Sequence, residues 1–317
     1  MIAIPEGDLD LLAIGEALID FISVEEADRL LDARAFRKYL GGSPANIAIN
    51  VARLGGRSAI LAKTGVGAHG QFIRAELHRA GVQTGYLVMD PEVHTSIIFV
   101  TRTRGTPDFE PYRNGDFKLS PDDLPEEAIR CARVVHASTW PLSRQPSRSA
   151  VEKAFALAHH EGKIISLDPN YSPAIWPDRD EALEVLGRLL AYATITKPSR
   201  DDAVRLFGPG RPPEEYIERF HRLGPPVVVF TMGADGLLLS AEGRLRHIPA
   251  LKVKVVDATG AGDSFWAGFL VALLDGNPLE RCARFAREVV ARKLAVVGPL
   301  PPGIERDDLY KEADKAE

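Results

Sequence analysis

Short apolar runs alternate with segments of helical periodicity along most of the chain. The apolar runs predict β-strands at residues 11–15, 58–63, 133–137, 164–168, 193–196, 227–231 and 253–256. Segments with apolar residues on one helical face predict helices at residues 44–54, 71–80, 145–161, 179–190, 213–223 and 279–297. This alternation predicts an α/β fold, a doubly wound and mostly parallel sheet covered by helices on both faces. Ligands of such folds bind beyond the carboxyl ends of the strands.

Two stretches interrupt the alternation, at residues 17–40 and about 93–114. The second of them contains two strand-like runs with a turn near residues 105–107. From the pattern alone, these stretches predict an additional hairpin beside the main sheet.

Composition narrows the class of protein. The 317 residues carry a formal charge of -5 and a pI of about 6.0, which argues against nucleic acid as a partner. The longest apolar run, residues 265–274, is too short to span a bilayer, and the N-terminal segment does not have the features of a signal peptide. Cys131 and Cys282 are far apart and form no metal-binding spacing. We therefore expect a cytoplasmic protein with no membrane partner.

The segment Asp257-Ala-Thr-Gly-Ala-Gly-Asp263 is the most informative motif, because it joins a predicted strand to an apolar helix. The backbone N–H groups of Gly260, Ala261 and Gly262, together with the helix dipole, form a site for an anion. A carboxylate at Asp263 would repel that anion, unless it acts as a base for an alcohol that attacks a phosphate. The alternative is an ordinary N-cap aspartate.

A second glycine-rich turn opens the helix predicted at residues 44–54. Gly41 and Gly42 allow close approach of a ligand to the backbone, and Asn46 offers both a donor and an acceptor to sugar hydroxyls. The alternative is a tight turn followed by a polar helix position.

Together, the two motifs resemble the signatures of the PfkB, or ribokinase-like, carbohydrate kinases, and the resemblance runs from about residue 11 to residue 298. It implies one kinase domain over residues 1–317, with a ribokinase-like fold and a small β lid formed by residues 17–40 and 93–114. It also implies an ATP-dependent reaction with Mg²⁺. Ala258 departs from the family, which usually has a small polar residue there.

The resemblance implies roles for particular residues. Asp263 would be the base, and Gly260, Ala261 and Gly262 would stabilise the transferred group. The sugar would be bound by Asp20, Gly41, Gly42, Asn46, Arg113 and Asp263. The nucleotide would be bound by Asn170, Lys197, Thr231, Gly233, Gly236, Gly260 and Gly262. Asp202 would hold magnesium through water, and a monovalent cation such as K⁺ would bind near Asp257.

Several of these positions have simpler interpretations. Asp20 could be a solvated acid at a strand end, Asn170 part of an Asx turn, and Gly233 part of a glycine turn between two strands. Capping by Ser199 is an alternative to a magnesium role for the segment that contains Asp202. The chain departs from the family at Ser172, Ser199 and Arg287, and the last of these leaves the adenine contacts open.

The substrate has several candidates. Some segments resemble fructokinases, which predicts phosphorylation of a primary hydroxyl of a ketose. Others resemble kinases of 2-keto-3-deoxygluconate or 5-dehydro-2-deoxygluconate, whose carboxylate would need Arg102, Arg104 or Arg113. A nucleoside kinase is disfavoured because the lid has few aromatic residues. A non-catalytic nucleotide or sugar sensor is the alternative from another class, and a dehydrogenase is set aside because no Gly-x-Gly-x-x-Gly follows the first strand. Family members are often homodimers, and the composition does not decide this.

Overall fold

The computed structural model describes residues 2–103, 108–297 and 299–315. Arg104 and the turn predicted at residues 105–107 lie outside the described residues. The strands are β1 Leu9–Ile14, β2 Leu18–Glu26, β3 Phe36–Gly41, β4 Ser58–Gly65, β5 Leu87–Asp90, β6 Ile97–Arg102, β7 Phe109–Tyr112, β8 Ala132–Ser138, β9 Ile164–Asp168, β10 Ile195–Thr196, β11 Val227–Thr231, β12 Leu237–Ala241 and β13 Arg244–Ile248. The α-helices are α1 Ser43–Arg53, α2 Ala68–Arg79, α3 Glu126–Cys131, α4 Ser147–His160, α5 Arg179–Leu190, α6 Arg200–Phe207, α7 Pro213–Arg222, α8 Ala261–Leu274, α9 Leu279–Leu294 and α10 Arg306–Lys315.

The large sheet has nine strands in the order β13-β12-β11-β10-β9-β8-β1-β4-β5. The seven strands at one end of this order, β11-β10-β9-β8-β1-β4-β5, pair in parallel. Strands β12 and β13 extend the sheet with antiparallel pairing. Parallel strands need crossover connections, which the helices between them supply. The carboxyl ends of β1, β8, β9, β10 and β11 consequently meet at one edge of the sheet.

Helices cover both faces of this sheet. Along β1, Leu11 and Ala13 belong to the core beneath α1, α2, α8, α9 and α10, whereas Leu12 and Ile14 belong to the core beneath α3 to α7. Successive side chains of a strand point to opposite faces, so a strand buried on both sides is apolar throughout. The predicted fold class is therefore confirmed.

A separate four-stranded sheet, in the order β3-β2-β6-β7, is formed within the two stretches that interrupt the alternation. Strand β2 pairs antiparallel with β3 and parallel with β6. The rings of Phe21 and Phe99 stack on this sheet with centroids 5.2 Å apart, and Phe36 meets Phe99 edge-on. Since β3 runs directly into α1, this small sheet lies next to the second glycine motif.

The strand predicted at residues 253–256 is wrong, because the segment before Asp257 is irregular. Val255 and Val256 are 57% and 50% exposed, and the segment borders the large cavity described below. A run of β-branched residues favours a strand only where a neighbouring strand and a core receive it. Among the described residues, no helix has the combination of length and apolar character needed to cross a membrane.

Candidate active site

The two glycine motifs meet at Asp263. Its carboxylate accepts hydrogen bonds from Ser43 Oγ at 2.7 Å and from Asn46 Nδ2 at 2.9 Å. These partners belong to the first turns of α1, whereas Asp263 lies in the first turn of α8. Residues more than 200 positions apart in the sequence thus form one polar cluster.

The turn before α8 presents an anion site beside this cluster. Gly260 is the N-cap and has a left-handed φ of 72°, a conformation that favours glycine. The Ala261 N–H donates to the Ala258 carbonyl at 3.1 Å, so it is already engaged, unlike the sequence expectation. Gly262 precedes the part of the helix in which N–H groups find carbonyl partners within the helix. Lys197 Nζ lies 3.6 Å from the position that a Cβ on Gly262 would occupy, so a fixed positive charge adjoins the turn.

Burial raises the pKa of Asp263 above its usual range, although hydrogen bonds from Asn46 and Ser43 and the charge of Lys197 act in the opposite direction. A carboxylate with a raised pKa is a stronger base than an ordinary aspartate. This property suits the removal of a proton from an alcohol.

Asp20 lies on β2 and lines a small space together with Asn46, the residue that binds Asp263. Burial, and secondarily the charge of Asp263, raise the pKa of Asp20 to about 7. The carboxylate of Asp20 touches Gly41, and a Cβ at that glycine would overlap it. The space lined by Asp20, Asn46 and Gly260 has a volume of only about 40 Å³, which is too small for a hexose in this conformation.

Glu16 is buried against the second glycine turn and binds its backbone. It is 1% exposed and accepts the Ser43 N–H at 3.0 Å, and Ser138 Oγ lies 3.4 Å from its other oxygen. The Glu16 carbonyl also occupies the place that a Cβ of Gly42 would need, and Gly42 has a φ of 103°. Burial is the main cause that raises the pKa of Glu16 to about 8.

Replacing Glu16 with glutamine is expected to remove part of the pH dependence of stability. The folded-state pKa, about 8, lies above the ordinary value of 4.5, so the native protein retains a proton that the unfolded chain loses. The contribution of protonated Glu16 to the free energy of unfolding is present in full below pH 4.5 and is lost as the pH rises through 8. Thermal unfolding should therefore show E16Q close to wild type near pH 4.5 and a few degrees more stable at pH 9. A parallel pH response in both proteins would contradict this, and the exposed Glu214→Gln is the control.

Arg113 lies in a different environment from the one expected of a substrate ligand. Its side chain is 5% exposed, and its Nε pairs with Asp116 Oδ2 at 2.7 Å. Its other nitrogens donate to Ser143 Oγ at 2.8 Å and to the Trp140 carbonyl at 3.2 Å. Each of the three guanidinium nitrogens therefore already donates to a protein oxygen.

A cavity of about 1180 Å³ opens on the other side of the α8 turn. This volume is slightly above the usual range for small-ligand sites and is sufficient for a nucleotide. Six of the residues predicted to bind nucleotide line it: Asn170, Lys197, Thr231, Gly233, Gly236 and Gly262. The seventh, Gly260, lines the small space beside Asp20 instead.

Lys197 is a positively charged residue of this cavity beside the α8 turn. It is 4% exposed, and its Nζ pairs with Asp168 Oδ2 at 2.8 Å. Burial alone would lower the pKa of Lys197, but the carboxylates of Asp168, Asp202 and Asp263 outweigh that effect and raise it. Lys197 therefore remains an ammonium group that can bind an anion.

Asp202 lines the same cavity, but its oxygens have partners. Tyr171 N–H donates to Oδ1 at 2.7 Å, and Ser199 donates its N–H and Oγ–H to Oδ2 at 2.8 and 2.6 Å. Ser199 caps α6 in return by accepting the Asp202 N–H. Among the residues that the structure describes, no group of three acidic, histidine or cysteine side chains could hold a metal directly. Because both of its oxygens have protein partners, Asp202 would meet a magnesium ion held by phosphates only through water.

Arg287 lies at the apolar end of the cavity, beside Val290 and Leu294. It is 8% exposed, and its Nη1 donates to the Pro249 carbonyl at 3.1 Å. Arg287, where the chain departs from the family pattern, therefore holds in place the cavity wall formed by the residues after β13.

Sequence reasoning missed four contributors to this region: Ser43, Glu16, Asp168 and Lys293. Lys293 lines the small space beside Asp20. Ser43 is adjacent to Gly42, and its hydroxyl could have been identified as a further polar group of the motif. Asp168 is the last residue of the strand predicted at residues 164–168, and its place at the carboxyl end of that strand is the signal that could have identified it. The burial of Glu16 and Lys293 depends on distant elements, so no local signal indicated it.

Comparison with known proteins agrees with this geometry. The profile of the pfkB family carbohydrate kinases matches residues 8–300. An ATP-dependent 6-phosphofructokinase of Thermoanaerobacterium thermosaccharolyticum is 36% identical over 92% of this chain and 89% of its own length. Fructokinase-1 of Oryza sativa subsp. japonica is 34% identical over 96% of this chain and 98% of its own.

Among solved structures, an uncharacterised sugar kinase of Pyrococcus horikoshii in complex with ATP superposes with a TM-score of 0.85. It is 31% identical, and the match covers 97% of this chain and all of that one. These matches extend over nearly the whole chain, and the solved structure shares its fold. The chain belongs to the pfkB family of carbohydrate kinases and is an ATP-dependent sugar kinase.

Proposed function

We propose that the chain is a fructokinase, which transfers the γ-phosphoryl group of ATP to a primary hydroxyl of fructose. The observation that carries this choice of substrate is the charge around the small space beside Asp263. Asp20 lines it together with Asn46, whose amide binds the Asp263 carboxylate. Lys293, the cation among its described lining residues, is already paired with Asp257. Arg113, a candidate partner for a sugar acid, is paired with Asp116. A neutral polyol can donate hydroxyl hydrogens to the carboxylates of Asp20 and Asp263, whereas a sugar acid or a sugar phosphate would be repelled.

The reaction uses the two sides of the α8 turn. Asp263 accepts the proton of the primary hydroxyl, the sugar oxygen forms a bond to the γ-phosphorus, and the bond from that phosphorus to the β–γ bridging oxygen breaks. ADP leaves with the bridging oxygen. The Gly262 N–H, the helix dipole of α8 and Lys197 stabilise the charge on the transferred group. The Gly260 N–H takes part as the first donor of the turn.

The remaining nucleotide contacts follow from the cavity lining. Thr231, Gly233 and Gly236 lie around the turn between β11 and β12, where backbone N–H groups can reach phosphate oxygens. Magnesium bound to the phosphates would neutralise their charge, with Asp202 oriented towards its water ligands. A second cation, K⁺, would have to share Asp257 with the ammonium of Lys293. A kinase that uses ATP also fits the predicted cytoplasmic location.

The small sheet acts as a lid in this proposal. The 40 Å³ space is smaller than the sugar, so β2 and β3 must move away from α1 and α8 before the sugar enters. Their return would exclude water from the γ-phosphate and so suppress hydrolysis.

Replacing Gly41 with alanine is expected to weaken sugar binding selectively. The added Cβ would overlap the Asp20 carboxylate and displace it from the hydroxyls. We expect the KM for fructose to rise about 10-fold or more, equivalent to one lost hydrogen bond to a charged group, and the Kd for ATP to stay unchanged. Gly67→Ala is the matched control, because a Cβ there meets open space. An unchanged KM in the Gly41 variant would contradict a role for Asp20 in sugar binding.

Substrate choice is tested by measuring ADP release with MgATP over a panel of acceptors. The panel contains fructose, 2-keto-3-deoxygluconate, 5-dehydro-2-deoxygluconate, ribose and adenosine. It also contains fructose 6-phosphate, because one relative is named a 6-phosphofructokinase. We expect the highest kcat/KM with fructose. A preference for either sugar acid would instead support the second candidate and would direct attention to Arg102 or Arg104. Magnesium-independent nucleotide binding without turnover would support the sensor.

A further inference from the structure

Lys293 is an internal positive charge beneath the α8 turn. It lies near the end of α9, is 1% exposed and is among the largest fully buried side chains of the described residues. Its Nζ donates to the Asp257 backbone carbonyl at 3.0 Å and lies 3.3 Å from Asp257 Oδ2. Burying an ammonium group is costly unless oxygen atoms surround it, so this placement indicates a specific structural requirement.

Asp257 connects Lys293 to the turn that forms the anion site. Its other carboxylate oxygen, Oδ1, accepts the Thr259 N–H at 2.9 Å, and Gly260 follows as the N-cap of α8. A second tie, the hydrogen bond from Val256 N–H to the Leu294 carbonyl at 2.7 Å, fixes the same segment to the end of α9. The segment before Asp257 is irregular and partly exposed, so these contacts hold one end of the catalytic turn in place.

The resemblance to the family implies a monovalent cation near Asp257, but the residues present do not fit one. The Asp257 carbonyl and Oδ2 are the oxygens that such an ion would use, and both already face the ammonium group. A second positive charge within a few ångströms of Nζ would be repelled in this poorly solvated place. The lysine also lines the small space that includes Asp20, Asn46 and Gly260, which places its charge close to the site of transfer.

We infer that Lys293 Nζ takes the place of a monovalent cation in this enzyme, and that Lys293 is a positioning residue for the Asp257–Gly262 turn. ATP binding and turnover are therefore independent of K⁺. The inference rests on the proposed function of the α8 turn as the phosphate site. It does not depend on which sugar is phosphorylated.

The first test uses the wild-type protein. ATP affinity is measured by calorimetric titration, and thermal unfolding is followed, in KCl and in tetramethylammonium chloride at equal ionic strength. We expect the two Kd values to agree within about 2-fold and the Tm to be the same, because an ion that binds only the folded protein would raise the Tm. A K⁺-dependent rise of 10-fold or more in ATP affinity, or a K⁺-specific rise in Tm, would overturn the inference. Failure of ATP to bind in either salt would instead count against the proposed phosphate site.

The second test uses Lys293→Met, which keeps the length of the side chain and removes its charge. We expect ATP affinity to fall by about 10- to 100-fold, as for the loss of a buried charged hydrogen bond, and to recover in part with KCl or NH₄Cl. Lys293→Arg should stay closer to wild type. Arg292→Met is the matched control, since Arg292 is the neighbour on α9 and is 41% exposed. Equal ATP affinity of the Lys293→Met protein with and without both cations would overturn the assignment, because it would reduce Lys293 to a packing residue.

Discussion

Replacing Asp263 with asparagine is expected to lower kcat by about 10³-fold, the size of effect that a general base contributes. Asparagine keeps the shape of the side chain and can still accept a hydrogen bond from Ser43 or Asn46, whose amide can rotate to compensate. It cannot take the proton of the attacking hydroxyl. Because Asp263 does not line the large cavity, the Kd for ATP should change little.

Steady-state ADP release and calorimetric titration with ATP measure these two quantities. Asp180→Asn is the control for the loss of one negative charge, because the Asp180 side chain is 83% exposed and lies on α5. Turnover of the Asp263 variant within a factor of two of wild type would contradict the assignment of the base.

Replacing Lys197 with methionine is expected to affect both stability and nucleotide binding. The change leaves Asp168 buried without its cation, and loss of one partner of a buried ion pair destabilises a protein by about 3–5 kcal/mol. It also removes the ammonium group from the phosphate end of the cavity, so the Kd for ATP should rise by about 10- to 100-fold.

A second substitution separates these two effects. In the Lys197→Met protein, the further change Asp168→Asn removes the unpaired buried charge, so the double variant should regain most of the lost Tm. Its ATP affinity should stay low, because the phosphate still lacks a cation. Recovery of both properties together would show that Lys197 acts only through folding.

The repeating strands and helices could be predicted because burial on both faces of a parallel sheet leaves a strong local pattern. Strands β4, β8, β9 and β11 are buried along nearly their whole length and rich in apolar residues, and α5 was predicted with its observed bounds. The segment at residues 253–256 has the same composition but lies outside the sheet, where its valines are exposed. Composition alone does not distinguish these two situations, since the difference lies in what packs against the segment.

The candidate site was predictable only where chemistry was concentrated in a short segment. The glycine turns, Asp263 and Asn46 each belong to such a segment. The environment of Arg113 is set by Trp140 and Ser143, which are about 30 residues away, and that of Asp257 by Lys293, which is 36 residues away. Lysine within an amphipathic helix predicts an exposed residue, so the buried ammonium of Lys293 could not be foreseen from its own surroundings.

The most direct test of the account is a proton-coupled ³¹P spectrum of the product formed from fructose and MgATP by the wild-type protein and by Asp263→Asn. The account predicts that the wild type converts ATP to ADP with one new phosphomonoester signal, split by the two protons of a primary carbon. The variant should give this signal only in trace amounts over the same time. Release of inorganic phosphate without a sugar phosphate, or equal product from both proteins, would contradict it.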